Sequence, residues 1–283
     1  MVTTLDWLRV DPWRSRLMEL VEVRDLDGPS LFARIPVIKL EVRIDADDDV
    51  EHTLGLLTDT ISRLHGMAGL PSPDVGRRKI DTPDHYALYY AWAWRDTALE
   101  IADSAYRSVQ SGSDPDGIAE TLAGLLDRDR EKNDQPEWVR DSERHIPTVG
   151  ITGTNGKTTT TRLLAHICKT AGKHVGWSSS SGVYIDGEKV IEGDYTGPSG
   201  ARRVLNDPDV EIAVLETARG GILLRGVAYE SNDVGVFLNL TADHLNLQGV
   251  ETLETLAEVK SVVIQATRAD GLVVLNADDP IVL

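Results

Sequence analysis

The chain has 283 residues, 41% of them hydrophobic, which suits two domains with buried cores and excludes a disordered chain. Its formal charge of −17 repels phosphate backbones and argues against general nucleic-acid binding, though not against a local phosphate site. No apolar run approaches the ~20 residues of a membrane span, the first residues lack the basic-then-apolar pattern of a secretory signal, and a single cysteine, Cys168, forbids an internal disulfide, so a cytoplasmic setting is expected. In chain order, residues 36–44 alternate as a strand does, and Leu54, Leu57, Ile61 and Leu64 recur at helical spacing within 52–64. Residues 86–94 are aromatic and strand-like, with Tyr89, Tyr90, Trp92 and Trp94 expected in a core. Residues 97–109 and 118–126 are expected helices. His52, His65 and His85 show no metal-ligand spacing and are expected to be ordinary surface or core histidines. The charged stretch 127–136 is expected to be a linker or an exposed helix end. It divides a smaller α+β domain, residues 1–140, from a second domain, residues 141–283.

The second domain alternates apolar runs at 147–152, 175–178, 212–216, 234–240 and 272–276 with helical stretches at 157–171, 200–205 and 253–267. This pattern predicts an α/β fold with a mostly parallel sheet, in which ligands bind beyond the carboxyl ends of the strands. Gly153-Thr154-Asn155-Gly156-Lys157-Thr158-Thr159 joins the first run to the first helix. Its glycines let backbone N–H groups turn toward phosphates, and the helix N-terminus adds partial positive charge. Lys157 would reach the β- and γ-phosphates, and the Thr158 hydroxyl would bind Mg²⁺. The common phosphate-loop pattern has glycine six residues before the lysine, where this chain has Ile151.

Other candidate residues stand mostly at strand ends. Glu216 could reach a metal held over the loop. Thr217 to Leu223 reads as a tight turn whose Arg219 either clamps a substrate carboxylate or makes a structural ion pair. His244 is a candidate second metal ligand, with Asp243 near enough to orient it. Lys260 falls on the apolar stripe of its helix with Leu253, Leu256, Ala257 and Ile264, so it is either buried with a partner or snorkels to the surface. Asn276 could meet a nucleobase edge, although Asn276-Ala277-Asp278-Asp279 also makes an ordinary turn.

Together and in this order, these motifs resemble the central ATP-binding domain of the Mur ligases, relatives of folylpolyglutamate synthetase. That family's phosphate loop reads Gly-Thr-Asn-Gly-Lys-Thr, which accounts for Ile151. Within it, Gly182 to Gly187, Thr196-Gly197-Pro198, Ala201 to Leu205, Asp207-Pro208, Glu216 to Leu223 and Asn276 to Pro280 resemble the ligase module of the cyanophycin synthetases. The resemblance covers about residues 145–283, and a weaker one extends to the first segment, through Asp27-Gly28-Pro29-Ser30 and the region around 90–104. It implies an ATP-dependent, ADP-forming ligase that joins a small-molecule or peptide carboxylate to an amino-acid amine through an acyl phosphate. By position it implies Thr158 and Glu216 on the nucleotide Mg²⁺, and His244 and a carbamylated Lys260 on a second metal. Asn276 would then lie near the adenine. If the likeness extends to substrates, the acid is a peptide aspartate and the amine is arginine. Two parts of the cyanophycin synthetases, the ATP-grasp domain and the C-terminal Mur domain, are not found in this sequence. The expectation is therefore a truncated chain that is either a homo-oligomer or joined by a separate polypeptide supplying the missing domain; the alternative is a nucleotide-binding or assembly protein without full ligase activity.

Overall fold

A computed structural model describes residues 18–45, 48–242, 245 and 249–283. The first half builds a four-stranded antiparallel sheet from β1 (Glu19–Leu26), β2 (Val37–Arg43), β3 (Gly76–Lys79) and β4 (His85–Ala91), in the order β1-β2-β4-β3. Alternation along β2 divides its side chains between two faces. Ile38, Leu40 and Val42 join Leu88 and Tyr90 in a core with α1 (Val50–Met67) and α2 (Arg95–Ser111), through Leu57, Ile61, Leu64, Ile101 and Ala105. Lys39 and Glu41, between them in sequence, are also nearly excluded from solvent. They survive burial as an ion pair at 2.6 Å, with Glu22 closing on Lys39 at 2.5 Å. Helix α3 (Ala119–Lys132) follows α2. Of the two expectations for the charged stretch, a linker or an exposed helix end, the second holds for its first part: it starts as the end of α3, whose Leu122, Leu126 and Asp129 face inward while its other charges face water.

Helix α3 ends at Asn133, in the left-handed region at φ 55°, and the chain then runs along the second half. There the Val139 N–H donates to Ala228 O at 2.8 Å and Val139 O accepts from the Glu230 N–H at 2.9 Å. The two halves also share main-chain bonds, Asp27 N–H to Arg225 O at 2.9 Å and Val227 N–H to Pro29 O at 2.8 Å. Asp27, 1% exposed, lies among Arg95, Arg202 and Arg225. Burial pushes its carboxyl up, and the nearby Arg95 charge opposes this.

The second half is a seven-stranded sheet. Its strands are β5 (Thr148–Thr152), β6 (Val175–Ser179), β7 (Gly182–Ile185), β8 (Glu188–Ile191), β9 (Ile212–Glu216), β10 (Asn232–Phe237) and β11 (Thr267–Leu275), in the order β11-β10-β5-β9-β6-β7-β8. The first five in that order run parallel, as expected, and β7 and β8 are antiparallel additions. The β7–β8 hairpin turns at Asp186-Gly187, both at positive φ, as a two-residue primed turn requires. Helices α4 (Lys157–Thr170), α5 (Pro198–Leu205) and α7 (Leu253–Gln265) cover the sheet, and α6 (Arg219–Arg225) packs on α7 and on β1. Strand β5 lies centrally, with β9 on one side and β10 on the other, so the chain changes direction across the sheet at its carboxyl end and leaves a crevice there.

Several local expectations need correction; the strand expected over residues 86–94 stops at Ala91, and Trp94 already stands at the N-cap of α2. Strand β10 stops at Phe237, not at residue 240: the Leu238 N–H still reaches Thr152 O at the end of β5, and Asn239 then bonds the loop beyond it, its carbonyl accepting the Thr154 N–H. Residue 267 begins β11 rather than ending α7. The stretch after Glu216 is not only a turn: Ala218 is extended, and α6 begins at Arg219. Among the described residues no helix is long and apolar enough to cross a membrane.

Candidate nucleotide site

The loop from Gly153 to Gly156 leaves β5 and opens α4. Gly153 stands at φ 147° and Gly156 at φ 85°, conformations that side chains rarely adopt. A Cβ on Gly153 would also press on Leu238 Cβ at 3.0 Å. The first-turn N–H groups of α4 have no intrahelical acceptors and point out of the helix end, which is an anion-binding geometry. The Lys157 ammonium folds back over the loop and donates to Gly153 O at 3.0 Å and Thr154 O at 2.8 Å.

Parallel pairing of β5 with β9 brings Glu216 beside the start of α4. The Thr158 hydroxyl donates to Glu216 Oε2 at 2.8 Å and lies 3.1 Å from Ser180 Oγ. Glu216 is only 3% exposed. Burial raises its carboxyl above the ordinary range, and the Asp194 charge adds to this. The Thr158 hydroxyl, the Ser180 N–H and the Lys157 charge pull the other way. A hydroxyl and a buried carboxylate beside a phosphate-type loop form a hard oxygen donor set, which fits a magnesium ion held between protein and phosphate oxygens.

Lys260 reaches the same place from α7. It is 5% exposed, packed with Leu256, Val259 and Val263, and donates to Gly153 O at 2.8 Å. The snorkelling alternative is therefore excluded: the side chain is buried, and two lysines meet on one carbonyl oxygen. Arg219, the first residue of α6, lines the same cleft of about 480 Å³ with Thr154 to Thr159, Ser180, Asp194, Thr196, Glu216 and Lys260. One expected residue, Asn276, is not brought there. Asn276 lies beyond β11 and accepts the Asp278 N–H at 3.1 Å in a local turn, and it does not line the cleft. His244 and Asp243 lie outside the described residues.

Three further contributors have no role that the sequence alone assigns, although Asn239 opens the stretch from Asn239 to Leu245 that holds His244. Asn239, just after β10, binds the loop on both sides: its Oδ1 accepts the Asn155 N–H at 2.8 Å and its Nδ2 donates to Asn155 O at 3.0 Å. Its own carbonyl accepts the Thr154 N–H at 2.9 Å. Asp194 lines the cleft and holds Thr196 through its hydroxyl at 2.7 Å and its N–H at 3.1 Å. Ser180 follows β6. Asn239 stands at a strand end, the one signal that could have marked it; Asp194 and Ser180 sit in loops where single-residue patterns carry nothing.

Residues 151–283 match the family model of the Mur ligase middle domain. Over 142 residues the chain is 56% identical to the cyanophycin synthetase of Crocosphaera subtropica, a match covering 50% of this chain and 16% of that protein. Over 137 residues it is 57% identical to that of Geminocystis herdmanii, covering 48% and 16%. The UDP-N-acetylmuramoyl-L-alanyl-D-glutamate–2,6-diaminopimelate ligase of Parabacteroides distasonis is 36% identical over 149 residues, covering 50% of this chain and 30% of that one. The matched region is thus a minor part of each relative's length. Residues 151–283 are thus similar, by family model and by sequence, to the middle domain of the Mur ligases.

Proposed function

We propose that this chain is the ATP-binding core of an ADP-forming ligase that joins a carboxylate to an amine. The observation that carries this reading is the contact of Thr158 with Glu216, at 2.8 Å, beneath a glycine-rich helix N-terminus and beside two lysines. In the proposed reaction a substrate carboxylate attacks the γ-phosphate of ATP, giving an acyl phosphate and ADP; the amine then displaces phosphate and forms the amide. No side-chain nucleophile is required. The α4 N-terminus binds phosphate oxygens, and Lys157, released from the loop carbonyls, neutralises charge on the transferring group. Thr158 and Glu216 hold Mg²⁺, which when bound supplies electrostatic stabilisation of the phosphoryl oxygens. Arg219 orients the acid with its planar guanidinium. Lys260 steadies the Gly153 carbonyl, and with His244 is the candidate for a second metal position. Asn276 is retained as the candidate adenine contact. The acid is a peptide aspartate and the amine is arginine, by likeness to the cyanophycin synthetases; residues 1–140 and 141–283 act as the two domains.

Calorimetric titration of the chain with Mg²⁺–ATP tests the nucleotide step, and phosphate release with an aspartate-rich peptide and arginine tests the ligase step. Binding that is lost in Lys157→Ala, and phosphate release that needs both substrates, are expected. A folded chain that binds no nucleotide would sink the proposal. Binding without release would remove these substrates, or the chain's self-sufficiency, and keep the nucleotide site.

A further inference from the structure

Away from the nucleotide cleft, α2 and α3 bring three carboxylates together. Asp96 lies in the first turn of α2, Asp129 in the next-to-last turn of α3, and Asp134 just beyond that helix. The left-handed Asn133 turns the chain so that the Asp134 N–H donates to Asp129 O at 2.9 Å. One oxygen from each carboxylate lies within 4.8 Å of the other two. Oxygens that share one ion at about 2.4 Å can be at most about 4.8 Å apart, so the three can ligate a single calcium-sized cation.

An independent observation points the same way. Asp129 is completely buried. Its Oδ2 accepts both the Thr97 N–H at 2.9 Å and the Thr97 hydroxyl at 2.7 Å, and so caps α2. Its Oδ1 is shielded from solvent and has no hydrogen-bond partner. A buried carboxylate oxygen without a donor is strongly disfavoured unless a cation faces it. The nearby side-chain cations serve other carboxylates. Arg95 donates to Asp134 Oδ1 at 3.1 Å while also pairing with Asp25 and Asp27, and Lys132 stands 4.0 Å from Asp96.

We propose that Asp96, Asp129 and Asp134 form a binding site for a hard divalent cation of the calcium type, which ties the start of α2 to the end of α3. The all-carboxylate donor set disfavours soft metals, and the exposed side of the cluster leaves room for water ligands. The cation would be structural, distinct from the one assigned to Thr158 and Glu216.

The test uses the full chain, stripped of metal and free of nucleotide, in a Glu216→Gln background that removes the cleft carboxylate. It is titrated with CaCl₂ by calorimetry, and with Tb³⁺ while exciting tryptophan, since Trp94 immediately precedes α2. One equivalent of Ca²⁺ and sensitised Tb³⁺ emission are expected. Asp129→Asn, which keeps an oxygen for the Thr97 cap, should weaken binding about tenfold or more, because affinity in such sites follows ligand charge. Asp96→Asn touches no cap and should weaken it independently, so the proposal stays testable if the Asp129 variant fails to fold. Absence of binding, or binding unchanged in the folded variants, would overturn it.

Discussion

Substituting Asn239 by alanine removes two hydrogen bonds that hold the phosphate loop from outside. The lost contacts are Asn155 N–H to Oδ1 at 2.8 Å and Nδ2 to Asn155 O at 3.0 Å. Two neighbouring contacts survive, Thr154 N–H to Asn239 O at 2.9 Å and Thr241 N–H to Thr154 Oγ1 at 3.1 Å, so the loop stays tethered but loses its grip on Asn155. Asn155 is exposed, so its freed groups find water, and each bond contributes about 0.5–1.5 kcal/mol rather than the larger cost of a buried orphan. The two together stabilise the binding-competent loop by about 1–3 kcal/mol. If the free loop then occupies that conformation in only a fraction of molecules, apparent nucleotide affinity falls by the same fraction. About tenfold weaker binding of Mg²⁺–ATP is expected, with little change in melting temperature. Calorimetric titration reads the first quantity and differential scanning fluorimetry the second. Affinity within twofold of the parent, in a folded variant, would refute the idea that Asn239 positions the loop.

Three further outcomes follow from the same structure. Glu216 is buried with its carboxyl raised above the unfolded value, so the native state holds the proton more tightly; its stabilising contribution is full below about pH 4.5 and is lost as pH rises through the folded value. Without metal, Glu216→Gln should therefore melt higher than the parent at pH 7, with the gap closing toward pH 4.5; a gap independent of pH would contradict this. Arg144, with its side chain 3% exposed, donates to Asp233 Oδ2 at 2.5 Å and Ile146 O at 2.9 Å, so Arg144→Met should cost about 2–3 kcal/mol in urea unfolding, the lower end for a broken buried pair because Arg268 still neutralises Asp233. A loss under about 1 kcal/mol would show that the pair is not structural. At Gly28 a Cβ would overlap the Val227 carbonyl oxygen across the junction of the two halves. Gly28→Ala should speed deuterium exchange at the Asp27 and Val227 amides, whose acceptors lie across that junction, and unchanged exchange would mean that the junction yields without breaking.

Much of this protein is legible in the order of its amino acids, because local rules act on neighbouring residues. Helical spacing of Leu54, Leu57, Ile61 and Leu64 marks α1, and the Gly153 to Thr159 run marks the strand-loop-helix that opens the nucleotide site. The 3.6-residue period alone places Lys260 on an apolar stripe; its burial against Gly153 needs only a sheet for α7 to lie on. Strands β1, β3, β7 and β8 carry no comparable signal. Three of them have four residues, and pairing with neighbours, not composition, makes them strands.

Tertiary structure alone decided which distant residues meet. Glu216 reaches Thr158 across 58 positions because β9 pairs with β5 in parallel, and Asn239 reaches Asn155 across 84 because β10 takes the other side of β5. Both Glu216 and Asn239 carry the mark of a strand end, but nothing local says which strands become neighbours. Asp129 likewise reads as one more charge in an acidic stretch until α3 turns it inward beneath Thr97. Sequence thus determined the loop, the helix faces and the chemistry carried by each side chain. The strand order decided which of those side chains share a site, because a contact between distant residues depends on how the whole sheet is wound, and no local propensity encodes that.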